Sequence, residues 1–195
     1  MNDQEFLKAK ADEILSDDWG TLTKHSFALK RRDGSWQEQT REVYDRGNGA
    51  ACLLYNVQQD TVLLVRQFRL PAYLNEHDGF LIEAPAGLLE GLDSAERMRA
   101  ELEEETGFKV SHLTQVFDAF MSPGSVSERI VCFIGNYTAD DQVSDGGGHE
   151  DEGEDIEVLH LPLAQALEMM ATGEINDAKT IMLLQHLAMK KAAES

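Results

Sequence analysis

The stretch from Gly87 to Phe108 constrains this chain more than any other. It opens with a turn, Ala86-Gly87-Leu88-Leu89-Glu90-Gly91, and runs into a segment of helical periodicity that stops at Gly107. Asp93 is placed to cap that helix, and Glu96 three residues on completes a capping-box pattern. Gly107 stands where a left-handed residue would close it. Between them Ala95, Met98 and Leu102 recur at three and four residues, which makes one buried stripe.

The last turn works against these rules. Glu101, Glu103, Glu104 and Glu105 crowd the C-terminal end, where the helix dipole is already negative. Glu101 repels Glu104 and Glu105 at i,i+3 and i,i+4, each pair costing roughly a few tenths of a kcal/mol. Glu103 points elsewhere, into solvent. Two readings of the others are open. One is a solvated acidic surface helix. The other is three carboxylates on one face, hard oxygen ligands suited to Mg²⁺ or Mn²⁺, whose binding reverses the sign of the repulsion.

Composition narrows the partners. The 195 residues suffice for one domain with a core and a small accessory element. A formal charge of −19 argues against nucleic acid or an anionic membrane as partner, and obliges an anionic substrate to find local cations or metal. Cys52 and Cys132 lie in apolar runs and read as buried free thiols, which suits a reducing cytoplasm. No apolar run approaches the roughly 20 residues of a membrane span, and the polar residues 1–10 are not a secretory signal.

Along the chain, Phe6, Leu7, Ala11, Ile14 and Leu15 have helical spacing and predict a short helix over residues 3–15. A strand through Leu22, Phe27 and Leu29, an Asp33-Gly34 turn and a returning strand from Trp36 to Tyr44 form a hairpin too thin to stand alone. Gly47-Asn48-Gly49 breaks the pattern. Residues 1–47 are therefore expected as a helix-and-hairpin dimerisation element, and 48–195 as the main domain. In the latter, strands are expected at Ala50–Val57, Thr61–Phe68, Phe80–Ile82, Leu113–Phe120, Ile130–Tyr137 and Ile156–Leu161, and helices at Leu163–Thr172 and Thr180–Ala193. This alternation implies an α/β/α sandwich with a mixed sheet. The acidic, glycine-rich residues 138–154 read as solvated loop on composition alone.

Gly87, Glu101, Leu102, Glu104, Glu105, Gly107 and Phe108 resemble the Nudix box, the signature of enzymes that hydrolyse nucleoside diphosphates linked to another group. The chain departs from that pattern in three ways. Asp93 replaces a Glu, Ala100 replaces the Arg that holds loop against helix, and six residues (94–99) separate them in place of seven. Arg97 and Arg99 are the candidates for the missing Arg. Further likeness, to the GDP-mannose branch of the family, lies in residues 41–49, Arg66-Gln67-Phe68-Arg69, Met121-Ser122-Pro123-Gly124 and Glu154-Asp155-Ile156, with Lys179 and Thr180.

The resemblance implies the site. Glu101, Glu104, Glu105, the Ala86 carbonyl and a loop glutamate, Glu152 with Glu150 in reserve, would hold the metal, and Glu152 would act as base. Trp19 would stack on the base of the substrate. Arg41, with Glu42, would reach in from a partner subunit. Arg69 and Lys179 would meet phosphate or sugar, with Gly87, Leu88, Glu128 and Asp151 as further contacts. The implied activity is Mg²⁺-dependent hydrolysis of a nucleoside diphosphate sugar by a cytoplasmic homodimer. GDP-mannose is the first expectation and ADP-ribose the second, with a non-catalytic nucleotide-sugar-binding regulator as the rival class.

Overall fold

The first described element is a strand. The computed structural model describes residues 5–89, 91–149, 151 and 153–194. β1 (Leu7–Asp17), β2 (Thr21–Lys30) and β3 (Trp36–Asp45) form an antiparallel sheet in that order. The expected helix at the N-terminus is thus corrected to a strand, paired from Leu7↔Leu29 to Asp17↔Thr21. The reason lies in two register shifts, between Ala9 and Ala11 and between Ile14 and Ser16. Each bulge resets the alternation of sides, so the apolar residues lose the period of two and mimic helical spacing.

These strands belong to the smaller of two compact units, Met1–Asn48 with Phe120–Arg129. Within it the loop residues are laced to the end of β3: Tyr44 N–H donates to Ser125 O at 2.8 Å, and Ser127 N–H to Tyr44 O at 3.1 Å. Ala28 is the one buried side chain among the unit's described residues.

The larger unit, Gly49–Ala119 with Ile130–Ser195, carries the core. Its central strands are β4 (Gly49–Asn56), buried along its whole length, and β5 (Thr61–Phe68). A helical turn α1 (Leu70–Tyr73) precedes β6 (Phe80–Glu83) and β7 (Ala86–Leu88). Then come α2 (Ser94–Thr106), β8 (Leu113–Phe120), β9 (Arg129–Asn136), β10 (Glu157–Pro162), α3 (Leu163–Thr172) and α4 (Ala178–Glu194). The sheet order is β10-β5-β4-β9-β8, with β4 and β9 parallel and β10, β5 and β4 antiparallel.

One feature of the sheet positions everything that follows. β4 pairs with β5 only from Leu54↔Leu63 to Asn56↔Thr61, then takes β7 as partner at residues 49–51, while β5 takes β6. The chain crosses from β6 to β7 through Ala84-Pro85, and the Pro85 carbonyl accepts the Cys52 N–H at 3.0 Å. Ala50, Cys52 and Leu54 pack with Met98 and Leu102 of α2 on one face. Their neighbours Ala51 and Leu53 alternate to the other face, and α4 also packs on β4. The result is the expected three layers, a mixed sheet between helices. No helix among the described residues is long and apolar enough to cross a membrane.

Gly107 ends α2 with φ of 77°, a left-handed conformation, and a Cβ there would run into the Ser144 carbonyl. Gly107→Ala should cost roughly 1–3 kcal/mol of stability through backbone strain and this clash. Urea unfolding in EDTA measures it. An unchanged midpoint would show that the helix stop tolerates a side chain.

Candidate active site

The inner face of α2 carries acids where a core helix should carry apolar side chains. Asp93 caps the helix, accepting from Ala95 N–H at 3.2 Å and Glu96 N–H at 3.0 Å. Met98 and Leu102 are fully buried, and Glu101 (8% exposed) and Glu105 (2%) continue the same buried face. β7 runs against them. Ala86 N–H donates to Glu105 Oε2 at 3.2 Å, and a Cβ on Gly87 would overlap the Glu101 carboxylate, so only glycine lets strand and acid approach this closely. Burial, chiefly, and then the charges of Glu101 and Glu154 push the Glu105 carboxyl up to about 8, against the opposing pull of Arg69 and the Ala86 N–H.

Arg97 relieves part of this crowding. One of its terminal nitrogens lies 2.7 Å from Glu101 Oε1, and the other donates to Glu104 Oε2 at 3.3 Å. Glu103 turns away and meets Lys109 at 3.0 Å.

The glycine-rich loop is docked on the end of α2. A helix leaves its last carbonyls without partners. Gly147 N–H donates to the Glu105 carbonyl at 2.9 Å, Gly148 N–H to that of Glu104 at 3.2 Å, and Val143 N–H to that of Gly107 at 2.8 Å. The solvated-loop expectation is corrected for these residues: glycine lets the backbone itself serve as the helix cap. A cavity of about 420 Å³ lies between loop and helix, lined in part by Glu104, Ser144, Gly146 and His149. Beyond it His149 N–H donates to Glu154 Oε2 at 2.9 Å, and the charge of Glu154 is felt at Glu105. Glu150 and Glu152 lie outside the described residues. Asp151 is exposed.

A cluster of two cations and two acids adjoins Glu105 through Arg69. Arg69 grips Glu83 Oε2 with Nε at 2.9 Å and a terminal nitrogen at 2.8 Å, and Lys179 Nζ lies 3.4 Å from Glu83 Oε1 and 3.0 Å from Asp177 Oδ1. Glu83, Asp177 and Glu154 were not expected from sequence. The usable signal for Glu83 was a lone acid ending the apolar run Phe80-Leu81-Ile82.

The donor set fits a divalent cation. Glu101, Glu104 and Glu105 present hard carboxylate oxygens beside the β7 backbone, and Glu105 carries a burial cost that a cation would offset. Among the described residues no three acidic, histidine or cysteine side chains already converge as a cage, and Arg97 draws Glu101 and Glu104 to itself.

Known proteins identify the family. The NUDIX domain model matches residues 45–184, and that of the GDP-mannose pyrophosphatase NudK N-terminal domain matches residues 7–44. The chain belongs to the Nudix family. A GDP-mannose pyrophosphatase of Pectobacterium atrosepticum is 51% identical over 175 residues, 89% of this chain and 90% of that one. Proteins of the same name from Klebsiella pneumoniae and Escherichia coli O157:H7 are each 49% identical, covering 90% and 91% of this chain and 88% and 93% of theirs. The crystal structure of an ADP compounds hydrolase shares the fold, with a TM-score of 0.73 over 100% of this chain and 99% of that one, at 19% identity.

Nudix hydrolases use divalent metal, in keeping with the donor set. Where the Nudix box lacks its arginine at Ala100, Arg97 reaches the carboxylates from one turn before Glu101. The larger unit thus brings together Ala86, Gly87, Leu88, Glu101, Glu104 and Glu105, and holds Arg69 with Lys179 on Glu83. The smaller unit holds Trp19, Arg41, Glu42 and Glu128. Trp19 is 69% exposed, and the Arg46 guanidinium lies 5.3 Å over its ring and bonds Glu128 Oε1 at 2.9 and 2.8 Å. Arg41 and Glu42 are exposed on β3, opposite His25 and Lys24.

The raised Glu105 pKa makes metal-free stability depend on pH. Its carboxyl titrates near 4.5 when unfolded and near 8 when folded, so its contribution is fully present below pH 4.5 and is lost as pH rises through 8. The loss is on the order of 5 kcal/mol. In EDTA, Glu105→Gln should be the more stable protein at pH 8 and should flatten the fall between pH 5 and 8. Parallel stability curves for the two proteins would refute this origin of the pH dependence.

Proposed function

We propose that this Nudix hydrolase cleaves GDP-mannose at its diphosphate, giving GMP and mannose 1-phosphate, with Mg²⁺ as the metal. The observation that carries the reading is the close likeness to GDP-mannose pyrophosphatases over nine-tenths of the chain, joined to the carboxylate pair on α2. Glu101, Glu104, Glu105, the Ala86 carbonyl and Glu152 would hold the cation. When bound, it supplies a Lewis acid that polarises phosphoryl oxygen and lowers the pKa of a bound water.

The chain's own residues bind and orient. Arg69 and Lys179 meet the diphosphate or sugar, and Gly87, Leu88, Glu128 and Asp151 line the substrate. Trp19 stacks on the guanine. Glu152 takes the proton of the attacking water. That oxygen bonds to one phosphorus while the bond from that phosphorus to the bridging oxygen breaks, and the bridging oxygen leaves on the other phosphate.

The working state is a homodimer in the cytoplasm. A three-stranded sheet with a single buried side chain among its described residues needs a partner to cover it, and the exposed Ile14, Trp19 and Trp36 lie on that sheet or its turn. Arg41 and Glu42 then serve the neighbour's site. Burial pushes up both free thiols, Cys52 and Cys132, which suits a reducing compartment.

Two measurements test the reading. With Mg²⁺, kcat/KM for GDP-mannose should exceed that for ADP-ribose. A tenfold preference for ADP-ribose, about 1.4 kcal/mol in the transition state, would overturn the substrate but keep the enzyme class. No metal-dependent cleavage of either would leave a binding protein. Separately, mixing Arg41→Ala subunits with Glu105→Gln subunits should recover part of the activity that each lacks alone. No recovery would mean that the site is not shared.

A further inference from the structure

Glu83 ends β6, a strand otherwise made of Phe80, Leu81 and Ile82. Its side chain is only 4% exposed. A carboxylate is costly to bury unless cations and donors surround it. Here Arg69 donates twice to Oε2 at 2.9 and 2.8 Å, Gln67 Nε2 once to the same oxygen at 3.4 Å, and Lys179 Nζ lies 3.4 Å from Oε1. One acid is thus the shared counter-ion of two cations that the chain brings from β5's end and from the start of α4.

The same network grips the backbone next door. Ala84 N–H donates to Thr180 Oγ1 at 2.7 Å, and the Thr180 hydroxyl donates to Asp177 Oδ2 at 2.6 Å. Asp177 Oδ1 accepts from Lys179 at 3.0 Å, which closes the circuit between β6 and α4. Two residues past Ala84, Ala86 N–H reaches Glu105.

We infer that Glu83 is a positioning residue for the substrate's diphosphate: it holds Arg69 and Lys179 together at the end of β6, which leads through Ala84-Pro85 into β7, where Ala86 meets Glu105. The inference rests on the proposed function and takes, of the two contacts given there for those cations, the diphosphate. Neighbouring cations repel, and each long side chain has rotamer freedom to lose when a ligand binds. A shared buried counter-ion removes both obstacles before the ligand arrives. The Glu83 contacts use two of the five Arg69 donors, and the Arg69 side chain is 38% exposed, so three donors remain for a ligand.

The test compares wild type, Glu83→Gln and Glu83→Asp for competitive inhibition by GDP and by guanosine at fixed Mg²⁺, with KM and kcat for GDP-mannose alongside. Glu83→Gln keeps the shape and loses the charge. It should weaken GDP at least tenfold and guanosine less than twofold, and raise KM more than it lowers kcat. Glu83→Asp keeps the charge one methylene further from both cations and should show the same selective loss at a smaller size. It decides the matter alone if the Gln variant does not fold. General structural damage would weaken both ligands in parallel, so equal losses overturn the inference, as does undiminished GDP affinity in the variants. If wild type binds guanosine as tightly as GDP, the phosphate role of Arg69 and Lys179 falls, and the inference with it. If wild type prefers GDP while the variants fail the test, the proposed function stands and the role of Glu83 alone is refuted.

Discussion

Two carboxylates one helical turn apart, buried against a glycine strand, set the terms for the rest of the larger unit. Glu101 and Glu105 occupy positions of α2 that Met98 and Leu102 would otherwise lead one to fill with apolar side chains. Their mutual repulsion is the cost of a site that a divalent cation can use. Each neighbouring device limits that cost without cancelling it. Arg97 shares itself between Glu101 and Glu104, Ala86 N–H supports Glu105, and Arg69 lowers the Glu105 pKa that burial raises. None of them neutralises Glu105 outright, and this is what leaves room for a metal.

The sheet supplies the other half of the constraint. Backbone reaches Glu105 here through Ala86 of β7, and an unbroken β4–β5 ladder would leave that strand no place beside β4. β4 pairs with β5 only from Leu54 onward and takes β7 as partner at residues 49–51, which sets Ala86 and Gly87 beside the acids. Pro85 sits at the crossing, where its missing N–H costs no ladder bond while its carbonyl still takes the Cys52 N–H. At the far end of α2, the stop at Gly107 leaves the carbonyls of Glu104 and Glu105 to be met by Gly147 and Gly148, which brings Glu154 to the acids. A helix end and a change of strand partner thus converge on the same few atoms.

Much of this was legible because it is local. The cap at Asp93, the stop at Gly107 and the strands Thr61–Phe68 and Leu113–Phe120 follow from patterns that a short window contains. What was hidden depends on pairing across the chain. Residues 7–17 are a strand because β2 lies beside them, and two bulges erase the alternation that would announce it. The loop glycines read as disorder because composition cannot show that a helix end needs their N–H groups. Glu83 could be seen as an odd acid in an apolar strand, but its partners Arg69 and Lys179 come together only in three dimensions. The carboxylates of α2 sat between these extremes: their crowding was visible, while the depth of their burial was not.

Charge explains how so acidic a chain can receive an anion. The formal charge is −19, yet at physiological salt the screening length is about 8 Å, so distant acids contribute little inside a site. Local groups decide. The cluster of Arg69, Lys179, Glu83 and Asp177 is formally neutral, two cations against two acids. It therefore offers little net field to draw a diphosphate in. What it offers is fixed donors, aimed in advance, whose bonds act over about 3 Å. On the proposed function, net attraction comes from a cation on Glu101, Glu104 and Glu105, which changes the sign of the nearest potential. Metal and cations thus divide the work, the first supplying charge and the second geometry. The chain's overall acidity is then compatible with an anionic substrate because neither part depends on the field of the whole molecule.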